Sequence, residues 1–197
     1  MKSQELISIK GCRKCHLPPE VHPIFSSFNG QRWMLVGQAP GVKEQHSKVL
    51  FIGPAGRRLF KWLNAAGFEE EKFRSFCYIT AVMKCFPGKG KRGDLKPSKA
   101  QLANCAPLLE KELILVKPEV LIPVGQLAIG YFLGRVKLEE VIGKRFIRNI
   151  GGKGVLVIPL PHPSGASVWT NRPENRARIA RAIGLIKRAR NLFGKTS

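Results

Sequence analysis

Four short apolar runs limit what this chain can fold into: residues 32–37 (RWMLVG), 77–82 (CYITAV), 120–124 (VLIPV) and 155–160 (VLVIPL). They are β-rich, most are set off by Gly or Pro, and each reads as a buried strand. Helical patterns alternate with them. Residues 54–66 carry Leu59, Phe60, Leu63 and Ala66 at helix spacing. Residues 98–116 open on a serine cap but contain Pro107, which predicts a kink or two pieces. Residues 125–134 read as a short helix directly after a strand. Residues 171–193 form the clearest helix, with an apolar stripe of Ile179, Ile183 and Ile186 among six basic residues, Arg176, Arg178, Arg181, Lys187, Arg188 and Arg190. Strand–helix alternation predicts a three-layer α/β/α fold on a mainly parallel sheet. The 197 residues are expected to form a single domain, 1–197.

In such a sheet, ligands bind beyond the C-terminal strand ends. Four loops are therefore expected at one edge: 37–41, 84–99, 125–126 and 161–167. The second (KCFPGKGKRGDLKPSK) holds six basic residues and one acid, and is expected to be a mobile loop. Two of the loops have the composition of a catalytic site, Gly37-Gln38-Ala39-Pro40-Gly41 and His162-Pro163-Ser164-Gly165.

Charge narrows the partner. Thirty-four Lys and Arg face thirteen Asp and Glu, a net +21, which points to a polyanion: nucleic acid first, an anionic membrane surface second. The expected phosphate contacts lie in 84–99 and 172–190, with a salt-sensitive affinity. There is no apolar stretch long enough to span a bilayer and no secretory pattern at the start, so a cytoplasmic, membrane-free protein is expected.

Five cysteines in such a compartment argue for a metal site or core thiols rather than disulfides. Cys12 and Cys15 form a Cys-x2-Cys pair, Cys85 follows the second strand and Cys105 comes 20 residues later. Cys77 lies within a strand and reads as a buried thiol. Four thiolates suit zinc or an iron–sulfur cluster, and their spacing leaves both open. On composition alone, a zinc-bearing RNA-associated protein also fits.

The motifs together resemble the uracil-DNA glycosylase superfamily, most closely its iron–sulfur family 4. They are Cys12-x2-Cys15, the GQAPG turn, Phe51-Ile52-Gly53-Pro54-Ala55-Gly56, Tyr78-Ile79-Thr80, Lys84-Cys85, Cys105 with Pro107-Leu108-Leu109, and the His162 loop. The resemblance covers nearly the whole chain. It implies a central four-stranded parallel sheet, a [4Fe–4S] cluster on Cys12, Cys15, Cys85 and Cys105 tying in the N-terminal segment, a monomer, and excision of a base from DNA to leave an abasic site. In that role Phe51 stacks on the extruded base. His162 stabilises the departing base as negative charge develops. Gly37, Ala39, Pro40 and Gly41 let the backbone approach sugar and base, and Ser164 and Gly165 hold a phosphate. Val168 or Trp169 fills the vacated stack, although Trp169 equally suits packing.

Two departures stand out. The family usually has Glu where this chain has Gln38, and Asn where it has Ala81. Gln38 can orient a water but cannot deprotonate it. Ala81 removes a side chain that reads the base edge, which implies a broader base range reaching xanthine and hypoxanthine. Glu44, Gln45 and His46 offer alternative polar groups, with His46 expected at the surface. The alternative function is a non-catalytic binder of damaged or abasic DNA.

Overall fold

A computed structural model describes residue 6 and residues 8–91, 93–164 and 168–194. Its strands are β1 (Trp33–Gly37), β2 (Cys77–Ala81), β3 (Lys89–Gly90), β4 (Gly93–Asp94), β5 (Val120–Pro123), β6 (Phe146–Ile150) and β7 (Lys153–Val157). Its helices are α1 (Val42–Ser47), α2 (Pro54–Ala65), α3 (Glu70–Phe76), α4 (Lys99–Val116), α5 (Gln126–Leu133), α6 (Leu138–Val141), α7 (Val168–Asn171) and α8 (Pro173–Phe193).

The main sheet runs in the order β2-β1-β5-β7-β6. The first four strands are parallel, and helices flank the sheet in the expected three-layer α/β/α arrangement. β1 and β5 are buried along their whole length, which explains their unbroken apolar sequences. Beyond β7 the ladder continues past Pro159, with Leu160 N–H donating to the Pro123 carbonyl at 2.9 Å.

The expected four strands become five. β6 pairs antiparallel with β7 through a two-residue Gly151-Gly152 turn in which both glycines have positive φ, the geometry that a tight hairpin requires. Its sequence, FIRNI, is mostly exposed and includes Arg148, as suits an edge strand, so no buried apolar run announces it.

Two further expectations are corrected. Residues 99–116 form one continuous helix through Pro107 rather than two pieces. Its N-terminus is held by a reciprocal cap in which Gln101 N–H donates to Ser98 Oγ and Ser98 N–H donates to Gln101 Oε1. Residues 84–99 are not a bare loop: β3 and β4 pair within them as a small hairpin.

α2 and α8 pack together, burying Leu59 and Leu63 on one side and Ile179, Ala182 and Ile186 on the other. Among the described residues no helix is long and apolar enough to cross a membrane.

Candidate active site and cysteine corner

Because β1, β2, β5 and β7 run parallel, the segments leaving them emerge at one edge, with β1 seated between β2 and β5. There they enclose a cleft of about 610 Å³. Gly37, Gln38, Ala39, Pro40 and Gly41 line it from β1, Ala81 from β2, Gln126 from β5, and His162 and Ser164 from the segment after β7; Phe51 enters from the start of α2. Every predicted substrate-contacting residue that is described lies here. Gly165 lies outside the described residues.

Phe51 is held in an unusual backbone conformation, φ +59°, which costs a non-glycine residue about 1–2 kcal/mol. Three neighbours impose it. Arg74 donates to the Leu50 carbonyl at 2.9 Å and to the Phe51 carbonyl at 3.2 Å. Gly56 leaves room for that carbonyl, since a Cβ there would sit 1.7 Å from it. The ring lies over Gly37, where a Cβ would meet its tip at 2.8 Å. Strain held this firmly at a cleft wall presents the ring to the cavity. The sequence carried no local sign of Arg74, which acts from α3, 23 residues along the chain.

His162 packs on Gly125, whose φ of +89° and missing side chain make the space. Ser164 N–H donates to His162 Nδ1 at 3.3 Å, so Nδ1 is the acceptor and the proton of the neutral ring sits on Nε2. The surrounding protein lowers the pKa of the ring by desolvation, although the residue remains exposed to solvent. Arg58 fixes the loop from α2 by donating to the Ser164 carbonyl at 3.2 Å.

Two carboxylates border the GQAPG turn. Glu44 accepts from Gly41 N–H at 3.1 Å and from Gly53 N–H at 3.3 Å, so it ties the turn to the start of α2 and both its oxygens are engaged. Asp94, from β4, accepts from Val42 N–H at 3.3 Å and brings Leu95 and Lys96 to the rim of the cleft. Sequence reasoning missed Asp94, because only the hairpin brings it there. Gln45 is buried and donates to the Glu20 carbonyl, and His46 is exposed as expected. Gln38 lines the cleft with no side-chain hydrogen bond among the described residues, while its carbonyl accepts from Met83 N–H. Trp169 donates its indole N–H to Glu139 and packs on the core, which favours its packing role.

Behind the cleft lies a buried ion pair. Lys84 Nζ is 2.5 Å from Glu112 Oε2, and both side chains are fully buried. Glu112 also accepts from the Tyr78 and Thr80 hydroxyls, and Lys84 also donates to the Ala81 carbonyl at 2.6 Å. The Tyr78 hydroxyl is pushed far up, by burial first and the Glu112 charge second. Lys84 is therefore removed from the residues expected to touch phosphate: no face of it reaches solvent.

On the other side of that pair, Cys12, Cys15, Cys85 and Cys105 line one small cavity with Leu17, Val21 and Leu108. Asn104 fastens the N-terminal segment there by donating to the Lys14 carbonyl at 3.1 Å, and Arg13 donates to the Val21 carbonyl at 2.7 Å. Burial, then the nearby Cys105, Cys15 and Cys12, push the Cys85 thiol up to about 12. Burial also raises the Cys105 thiol, and four soft donors gathered at one cavity suit a centre that carries positive charge and takes thiolates. Among the described residues no three such side chains converge on a point where one ion would touch them all. Cys77 is buried in β2, apart from this cavity, as expected.

The uracil DNA glycosylase superfamily profile matches residues 25–184. A type-4 uracil-DNA glycosylase of Pyrobaculum aerophilum is 31% identical over 163 residues, covering 79% of this chain and 79% of the relative. One from Thermotoga maritima is 30% identical over 166 residues, 81% of each chain. A type-5 uracil-DNA glycosylase of Pyrobaculum aerophilum is 28% identical over 159 residues, 72% of this chain and 65% of the relative. With the profile spanning most of the chain and the cleft assembled from the same loops, this protein belongs to the uracil DNA glycosylase superfamily and is a DNA glycosylase by class.

Proposed function

We propose that the protein hydrolyses the N-glycosidic bond of uracil in DNA, acting as a monomer and leaving an abasic site. One observation carries this most directly: His162 presents a neutral ring, with its proton on Nε2, in the same cleft as Phe51 and the unpaired Gln38 amide.

The target base leaves the helix at a cost of about a few kcal/mol and enters the cleft. Phe51 offsets part of that cost by stacking, which contributes about 1–3 kcal/mol per base. As the glycosidic bond breaks, electrons move onto the base and negative charge develops on its oxygen. His162 donates from Nε2 to that oxygen, an interaction stronger in the transition state than in the ground state. Water attacks the cationic sugar from the side of the GQAPG turn. Gln38 orients that water through its amide oxygen, and proton loss follows bond formation. Ser164 holds the adjacent phosphate.

Ala81 presents only a methyl group to the base edge, and its carbonyl is already engaged by Lys84. With no side chain there to reject a wrong edge, xanthine and hypoxanthine are accepted alongside uracil. Cys12, Cys15, Cys85 and Cys105 hold a [4Fe–4S] cluster. When bound, it serves as a structural tie between the N-terminal segment, the end of β2 and α4.

Excision from duplexes carrying uracil, xanthine or hypoxanthine, read by alkaline cleavage of the abasic product, tests the proposal. Cleavage of uracil that is lost in His162→Ala supports it. Tight binding with no cleavage of any of the three bases favours a damage-binding protein, the reading suggested by Gln38.

A further inference from the structure

Outside the cleft and the cysteine corner, one surface combines three features of a nucleotide site. A groove of about 400 Å³ lies between α2 and α8, lined by Arg58, Trp62, Asn171, Arg176, Ile179 and Ile183. We propose that it seats the nucleotide next to the excised one on the substrate strand, with that base against Trp62 and its phosphate between Arg58 and Arg176.

Trp62 is the first support. The chain has three tryptophans. Trp33 is buried and packs edge-on against Phe68, and Trp169 donates to Glu139. Trp62 is half-buried and, among the described residues, has neither a ring partner nor a hydrogen bond for its indole N–H. Trp62 also packs in part on the core, and the portion of its indole that lines the groove beside Ile179 and Ile183 suits a base, since every base has a π-face and stacking needs no sequence.

Charge is the second. Arg58 and Arg176 make no ion pair among the described residues, and no acidic side chain lines the groove. Two guanidinium groups without an acidic partner, beside an aromatic side chain, match a phosphate carrying a base.

Continuity is the third. Arg58 reaches from this groove to the Ser164 carbonyl, and Ser164 lines the cleft. A strand whose target base sits in the cleft has its backbone at Ser164, so the next residue in one direction falls at Arg58. The proposal rests only on the DNA-binding half of the proposed function, not on the chemistry.

The test uses the whole protein and labelled single-stranded oligonucleotides, each with one uracil extended by two nucleotides on the 5′ side only, on the 3′ side only, or on neither. Fluorescence polarisation gives binding and release of free uracil gives excision. One extension, not both, is expected to tighten binding about ten-fold, a typical stacking contribution. Trp62→Leu and Arg176→Gln, made separately, are expected to abolish that gain, and Trp62→Leu is expected to leave the unextended substrate bound and processed as before. The same extension should quench tryptophan fluorescence in the native protein and not in Trp62→Leu. An equal gain from both extensions, or a gain unchanged in both variants, overturns the proposal. If excision is absent while the one-sided gain persists and both variants lose it, the enzymatic reading fails and the groove stands.

Discussion

The cleft and the cysteine corner are built in opposite ways from neighbouring parts of one chain. The cleft is open and leaves two polar groups without protein partners among the described residues, the Gln38 amide and the His162 Nε2 proton. Its precision comes from behind, from Arg74, Gly56, Glu44 and Arg58 gripping backbone. The corner is small, two of its four cysteines are buried, and burial raises the Cys85 and Cys105 thiols. The first is organised to meet a substrate that comes and goes; the second gathers four thiols of one chemistry, the donor set of the proposed cluster. Lys84 and Glu112 stand between them and touch both, since Lys84 holds the Ala81 carbonyl at the cleft while also lining the cysteine cavity.

If the corner is a cluster site, Cys85→Ala has the largest effect of any single change. The brown colour and absorbance near about 400 nm are expected to vanish, with a loss of more than about 4 kcal/mol in chemical denaturation. A colourless native protein that holds zinc would break this half of the comparison.

Lys84→Met comes next, because it leaves Glu112 charged and unpaired in the core. The expected cost is about 3–5 kcal/mol, seen as a lowered denaturation midpoint. Adding Glu112→Leu should recover most of it, since removing both partners leaves no buried charge. If instead the double variant is as unstable as the single, the packing of the aliphatic stem, not the charge, is what matters.

His162→Ala sharpens the contrast, because it should spare stability and colour and strike only catalysis. Losing one preorganised donor is expected to lower kcat by about 10²–10³. A matched loss of absorbance would mean that the two regions are coupled through more than Lys84.

Much of the cleft was legible because its parts are local. GQAPG is a turn between a strand and a helix, and the parallel strands carry such turns to one edge whatever the details. What escaped depends on contacts between segments far apart in the chain. Arg74 reads as an ordinary surface arginine until the fold sets it beside the Leu50 and Phe51 carbonyls. Asp94 is the lone acid of a basic stretch, and Lys84 looked like one more phosphate-binding lysine. Nothing local distinguishes a lysine that faces DNA from one paired with a glutamate 28 residues later. β6 escaped for a different reason: an edge strand facing water has no apolar run to reveal it.

The smallest predicted effect is the most specific to the cleft. Desolvation lowers the pKa of His162, so the folded protein favours the neutral ring more than the unfolded chain does. Stability from this group is therefore fully present above the unfolded value of about 6.5, and is lost as pH falls from there through the lower folded value. Activity follows the same group for a separate reason. Protonating Nδ1 removes the acceptor for Ser164 N–H, and the loop that carries the ring loses its inner hydrogen bond. The excision rate should thus stay level through neutral pH and fall only below the ordinary histidine range. In His162→Gln, whose amide can donate but does not titrate, the acid limb should disappear while some activity remains. NMR titration of the ring checks the direction independently. An imidazole that titrates above 6.5 would mean that a negative charge stabilises its protonated form, and the neutral-donor role would go with it.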